Sequence, residues 1–184
     1  MGWKTVLTAL VFGVGATQAA ASAPSFFPLA DGNRWTLRGT GAGETNVSVD
    51  SNRAPGFVLR GFPGTGQLRV RAVGSTVEAW DAGSNRWEPF LRLGARAGTK
   101  YGVNLSGAPL WRSVVVTVAS RQAVVHDARG KTLRGCVKLT LSHPKGVADA
   151  GIEELTFAPG IGLVRVSEIT IAGVRERVLA SFKL

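Results

Sequence analysis

The residue types that do chemistry are few in this chain and widely spaced. There are two histidines, His126 and His143, and one cysteine, Cys136. A metal centre needs His, Cys, Asp or Glu clustered in coordinating geometry, and no H-x-H or C-x-x-C spacing occurs. Each histidine falls near the end of a predicted hairpin. They could meet if Val125 and Leu141 sit on paired strands, but the hairpin register places His126 opposite residues nearer Lys131. No metal and no cofactor is expected. His126-Asp127 invites a catalytic reading, yet neighbours on a strand point to opposite faces, so Asp127 would not orient the imidazole. A turn role is expected instead. The same geometry separates Glu153 from Glu154 and argues against a glycosidase pair. No G-x-S-x-G elbow is present, and no Ser or Cys has an identifiable base. Gly61-Phe62-Pro63-Gly64-Thr65-Gly66 is glycine-rich, but no helix follows to hold a phosphate, so it reads as a strand connection. Cys136 is expected to be a small buried hydrophobe. These residues predict no catalytic site.

The aromatic residues offer a different chemistry. Trp80 and Trp87 flank one predicted hairpin and are placed to stack across it. With Trp111 they are the candidate contacts for a ligand or partner, lining an apolar or glycan-binding cleft if they face a concave sheet and serving as core if they face inward.

The elements that must position these side chains are strands. The sequence shows little helical periodicity. It offers short runs of alternating or β-branched residues separated by Gly, Pro, Asn and Asp. In Gln67–Val73, Leu68, Val70 and Ala72 share one face while Arg69 and Arg71 share the other. In Val174–Leu184, Val174, Val178, Ala180, Phe182 and Leu184 are expected on one face. Ser113–Ala119 is apolar on both faces and predicts a central strand covered on both sides. Turn residues at 81–85, 126–130, 158–162 and 171–174 predict sequential hairpins. The reading is an all-β chain, an antiparallel meander of about ten to twelve strands forming a strongly curved sheet or an open barrel.

Ahead of this domain, Lys4, the apolar run Val6–Val14 and Ala21-Ser22-Ala23 read as a secretory signal peptide spanning residues 1–23. Cleavage would leave a single domain over 24–184. No later run is long enough for a transmembrane helix. An exported chain with one cysteine has no internal disulfide, so packing and sheet hydrogen bonds must hold it. The net charge is +10, from 22 Lys and Arg against 12 Asp and Glu, and only Lys4 would leave with the leader. Such a balance favours partners with negative surfaces: anionic lipid, acidic polysaccharide or an acidic protein. Export argues against nucleic acid. The cations are scattered singly, as on a solvated outer face.

One internal similarity stands out. Phe27-Pro28-Leu29-Ala30-Asp31-Gly32-Asn33-Arg34-Trp35 parallels Leu93-Gly94-Ala95-Arg96-Ala97-Gly98-Thr99-Lys100-Tyr101. Each carries an apolar residue five before a Gly, then a small polar residue, a cation and an aromatic. The pattern predicts two glycine-centred turns, each launching a strand anchored by its aromatic. The first of these segments, together with Cys136-Val137-Lys138-Leu139 and Phe157-Ala158-Pro159-Gly160-Ile161-Gly162-Leu163-Val164, resembles a loose class of exported bacterial β-rich proteins. That class opens with F-P-L-x-x-G-N-x-W and carries a later C-V-x-[VL] and [YF]-A-P-G-[VI]-G-L-V signature. The resemblance implies export and β structure, with these residues in structural roles.

The expected function is therefore that of a non-enzymatic, exported cell-envelope protein, periplasmic or surface-associated. It would be a basic binding module or assembly subunit whose partner is an anionic envelope component or envelope complex. One alternative is a periplasmic carrier of an apolar ligand such as a lipid, held in a curved-sheet cavity; another, a hydrolase, would require a His, an acid and a hydroxyl together in a cleft. A carrier predicts an apolar cavity of about 300 Å³ or more. A docking module predicts a filled core with an exposed apolar or single-sign patch.

Overall fold

The computed structural model describes residues 25–39, 43–51, 55–143 and 151–184. The leader predicted at residues 1–23 lies outside them. Twelve strands follow one another: β1 (Arg34–Gly39), β2 (Gly43–Ser51), β3 (Phe57–Arg60), β4 (Gln67–Val73), β5 (Thr76–Asp81), β6 (Arg86–Arg92), β7 (Lys100–Val103), β8 (Val114–His126), β9 (Thr132–Ser142), β10 (Gly151–Ala158), β11 (Gly162–Thr170) and β12 (Gly173–Lys183). A single 3-10 turn, Pro109–Trp111, joins β7 to β8. The all-β meander read from the hairpin signals is what forms.

Every neighbouring pair is antiparallel, and the sheet order is β6-β5-β4-β3-β2-β1-β12-β11-β10-β9-β8-β7. The first and last strands pair in the middle of the sheet, Trp35 opposite Phe182 and Leu37 opposite Leu179. The two edges, β6 and β7, are consecutive in the chain. The sheet curls until these edges approach, giving a nearly closed barrel with one seam. Because directions alternate, odd-numbered strands all start at one end, called the lower end below, and finish at the upper end.

Side chains join the two edges of the seam. The Tyr101 hydroxyl on β7 accepts a hydrogen bond from the Arg92 amide (3.1 Å) and donates to the Phe90 carbonyl (3.4 Å) of β6. Burial pushes the phenol pKa up to about 12, so it stays protonated and able to donate. At the upper end the buried Asp81, last in β5, accepts from the Ser106 amide (2.8 Å), the Ser106 hydroxyl and the Ser84 amide (3.0 Å). Those hydrogen bonds hold its carboxyl well below the usual carboxylate range.

The two launch segments predicted from sequence adopt the same local structure. Gly32 and Gly98 have φ of 84° and 85°. The Gly32 amide donates to the Val49 carbonyl and the Val49 amide to the Asn33 carbonyl. In parallel, Gly98 donates to Val118 and Val118 to Thr99. Phe27 and Leu93, five residues before each glycine, are both buried. Left-handed φ at this step explains why glycine holds both positions. The chain thus contains two matching strand launches, at β1 and at β7.

The interior is solid. Phe27, Trp35, Phe62, Phe90, Trp111 and Phe157 form a continuous aromatic cluster, with ring centroids 4.5 to 6.1 Å apart. Each buried indole N–H has a partner. Trp35 Nε1 donates to the Ile161 carbonyl (2.6 Å) and Trp111 Nε1 to the Pro63 carbonyl (2.9 Å). Both acceptors lie on Pro-Gly-x-Gly turns, one at each end of the barrel. Aliphatic residues from alternate strand positions, among them Val47, Leu59, Leu139 and Leu155, fill the space around the rings.

Two expectations need correction. In β12, Val174 (61 % exposed) and Val178 lie on the outer face, and Leu179 enters the core. The pairing with β1 skips Ala180, and this bulge reverses the alternation, so that Phe182 falls opposite Trp35. In β8, Val114, Val116 and Val118 are buried, but Val115 is 44 % exposed. Only one face is covered, because among the described residues nothing packs against the outside of β8.

Candidate functional site

The residues with chemical potential are not brought together. His126 closes β8 at the lower end, its Nδ1 3.2 Å from the Thr132 hydroxyl. His143 follows β9 at the upper end, its Nε2 3.0 Å from the Ile152 carbonyl. The register separates them by the length of β9. Asp127 accepts from the Arg129 and Lys131 amides (2.9 Å each) and so shapes the β8–β9 turn. Glu154 pairs with Lys138 and Arg165 on the outer wall, whereas Glu153 is exposed. Among the described residues no three His, Cys, Asp or Glu gather as a cation site. Cys136 is fully buried, and desolvation raises its thiol pKa, which lowers its thiolate fraction at neutral pH.

Trp80 and Trp87 do pair across the β5–β6 hairpin, with centroids 5.6 Å apart and edge-to-face geometry. They face neither a concave cleft nor the core. Val77 and Ala79 take the inward positions of β5, so Trp80 lies on the outer wall. There the chain's own cations cover the rings. The Arg69 guanidinium sits 4.5 Å from the Trp80 ring and 5.0 Å from Trp87, and Arg71 sits 4.5 Å from Trp87. Trp111 is fully buried and presents no surface to a partner.

The cations separate into two sets. Arg177 pairs with Glu168 on the inner face near the upper end, and along the outer wall many more are paired: Arg38 with Glu44, Arg60 with Asp50, Arg71 with Glu78 and Arg165 with Glu176. Such exposed pairs contribute little energy, but they cancel charge locally. Among the described cations without an acidic partner, most lie at the lower end. Arg34 opens β1, Arg92 closes β6, and Arg96 and Lys100 flank the second launch. Arg129, Lys131 and Arg134 surround the β8–β9 turn, and Lys183 closes β12, with Arg121 nearby on β8. Only Arg69, Arg112 and Arg175 of that set lie elsewhere. The β8–β9 hairpin carries its cations across this end, and its Ala128 amide donates to the Leu179 carbonyl of β12 (2.8 Å). Exposed apolar side chains occur at both ends: Ile169, Ile171 and Val174 surround the β11–β12 turn at the upper end, and Val73, Val124, Phe182 and Leu184 lie at the lower end. Sequence reading missed this sorting of charge, because the wall partners, 6 to 11 residues apart, meet only through hairpin register, and the ends of distant strands come together only when the meander closes.

No family model matches the chain, and no curated protein matches it. Solved structures do. A Bacteroides fragilis protein described as exported, with a YmcC-like fold, aligns over 88% of this chain and 100% of its own, at 16% identity and a TM-score of 0.50. This likeness shows the fold alone. A Parabacteroides distasonis protein described as a lipoprotein aligns over 88% of this chain and 99% of its own, at 13% identity and a TM-score of 0.44.

Proposed function

We propose that this chain is a non-enzymatic, exported cell-envelope protein that docks an anionic envelope component through the lower end of its barrel. The observation that carries this reading is the sorting of charge: cations paired with acids along the wall, and unpaired at the lower end, where they outnumber Asp31 and Asp127, whose carboxylates accept from backbone amides instead. A predominantly cationic rim raises the local concentration of an anionic partner and orients its approach. The solid aromatic interior supports docking over carriage inside the barrel, because a ligand there would have to displace well-packed rings. The leader read at residues 1–23 supports export. Trp80 and Trp87 are proposed as secondary contacts through their ring edges, since Arg69 and Arg71 already cover their faces.

The test is retention of the mature protein on envelopes from its own source across a salt series. Salt-sensitive retention is expected, and it should be lost in R129E/K131E/R134E while persisting in W80A/W87A. Retention unaffected by the charge reversal would contradict the reading.

A further inference from the structure

A cavity of about 350 Å³ opens at the lower end of the seam. Its walls are Phe26 and Phe27 before β1, Ala72 on β4, Val77 on β5 and Leu93 after β6, with Arg121 of β8 at the side. The register of β8 breaks three times around Arg121, between Val118 and Ser120, in the Ser120–Ala123 interval that holds Arg121, and between Ala123 and Val125. Bulges of this kind re-aim a side chain. Here the Arg121 Nη1 donates to the Leu93 (2.6 Å) and Ala95 (3.0 Å) carbonyls, and its guanidinium lies 5.3 Å from the centroid of the Phe26 ring. The cation is thus fixed by two carbonyls and an aromatic face, and no acidic side chain among the described residues pairs with it. Its Nε and Nη2 groups remain available to an anion.

We infer that this cavity binds one alkyl chain of an anionic amphiphile, with its phosphate or carboxylate head held by Arg121. The volume is at the small end of ligand cavities, about 300–1,000 Å³, which suits a single chain. An apolar pocket with one fixed cation at its side matches an apolar tail ending in a negative head. The site goes beyond the docking reading. It uses the mouth of the seam, where Phe27 at the margin of the aromatic core forms one wall, and leaves the cations of the β8–β9 turn uninvolved.

Dodecyl phosphate, titrated into the mature protein and followed by native mass spectrometry, tests the inference. One molecule should bind per chain. R121Q should weaken binding about tenfold or more, as expected for loss of a charge-assisted pair. A72W, which fills the mouth from β4, should abolish binding. Dodecyl maltoside, with the same tail and a neutral head, should bind at least as poorly as dodecyl phosphate binds R121Q. Inorganic phosphate should not displace the amphiphile. Equal binding by R121Q and the unmodified chain, or by A72W, would overturn the inference, as would displacement by inorganic phosphate alone. Should A72W fail to fold, a spin-labelled dodecyl phosphate bound to the unmodified chain must broaden the amide signals of Phe26, Ala72 and Leu93. Broadening elsewhere would overturn the inference equally. Envelope retention of R121Q separates this site from the docking reading: retention with lost amphiphile binding leaves docking intact, and the converse leaves the cavity intact.

Discussion

Asp81 links the β5–β6 turn to the Ser106 loop, across a seam where the sheet itself is not hydrogen-bonded. Its carboxyl is held below its ordinary value, so the folded state prefers the ionised form. The unfolded chain takes up the proton first on acidification. The stabilisation is therefore present in full above the unfolded pKa, near 4, and is lost as the pH falls through the folded value. D81N should be less stable than the unmodified chain at pH 7, and the difference should shrink steadily below pH 4 in urea unfolding. A constant difference across that range would contradict the assignment. Gly162 makes a second residue-scale prediction. It has φ of 112°, and a Cβ there would lie 2.6 Å from the Trp35 indole nitrogen. G162A should cost about 2–4 kcal/mol by thermal unfolding, from backbone strain combined with displacement of the indole.

At the scale of elements, the seam depends on Tyr101 reaching from β7 to β6. In Y101F the Arg92 amide loses its partner in a part-buried position, at a cost of about 1–3 kcal/mol. Hydrogen exchange should show that amide losing protection in Y101F while the β1–β12 amides keep theirs. Loss spread evenly over all strands would mean that the seam does not behave as a separate unit. The strands themselves were legible in the sequence, because alternation and turn residues are local: Gln67–Val73 was read with its observed bounds. So were the two launches, since a glycine forced to positive φ leaves a spacing that repeats. The face of β12 was not legible. Its alternation continues across the bulge at Ala180, and only the pairing with β1 reveals that the phase reverses there. The outward position of Trp80 and Trp87 was equally hidden, as alternation separates two faces without saying which one the core occupies.

For the whole molecule, where charge concentrates was not legible from the order of residues. Single cations scattered along the chain read as a solvated face, and for the wall strands that holds, since cross-strand acids neutralise them. Closing the meander places the launches, the β8–β9 turn and the chain's last strand at one end, where their cations outnumber Asp31 and Asp127 and pair with neither among the described residues. Docking through that end is the central claim. The most direct measurement is a hydrogen-exchange footprint of the mature protein with and without its own envelope fraction. Protection should appear at the β8–β9 turn, the Leu93–Lys100 connection and the segment before β1. Protection confined to the Trp80–Trp87 wall or to the exposed β11–β12 turn would contradict the account and place the docking surface elsewhere.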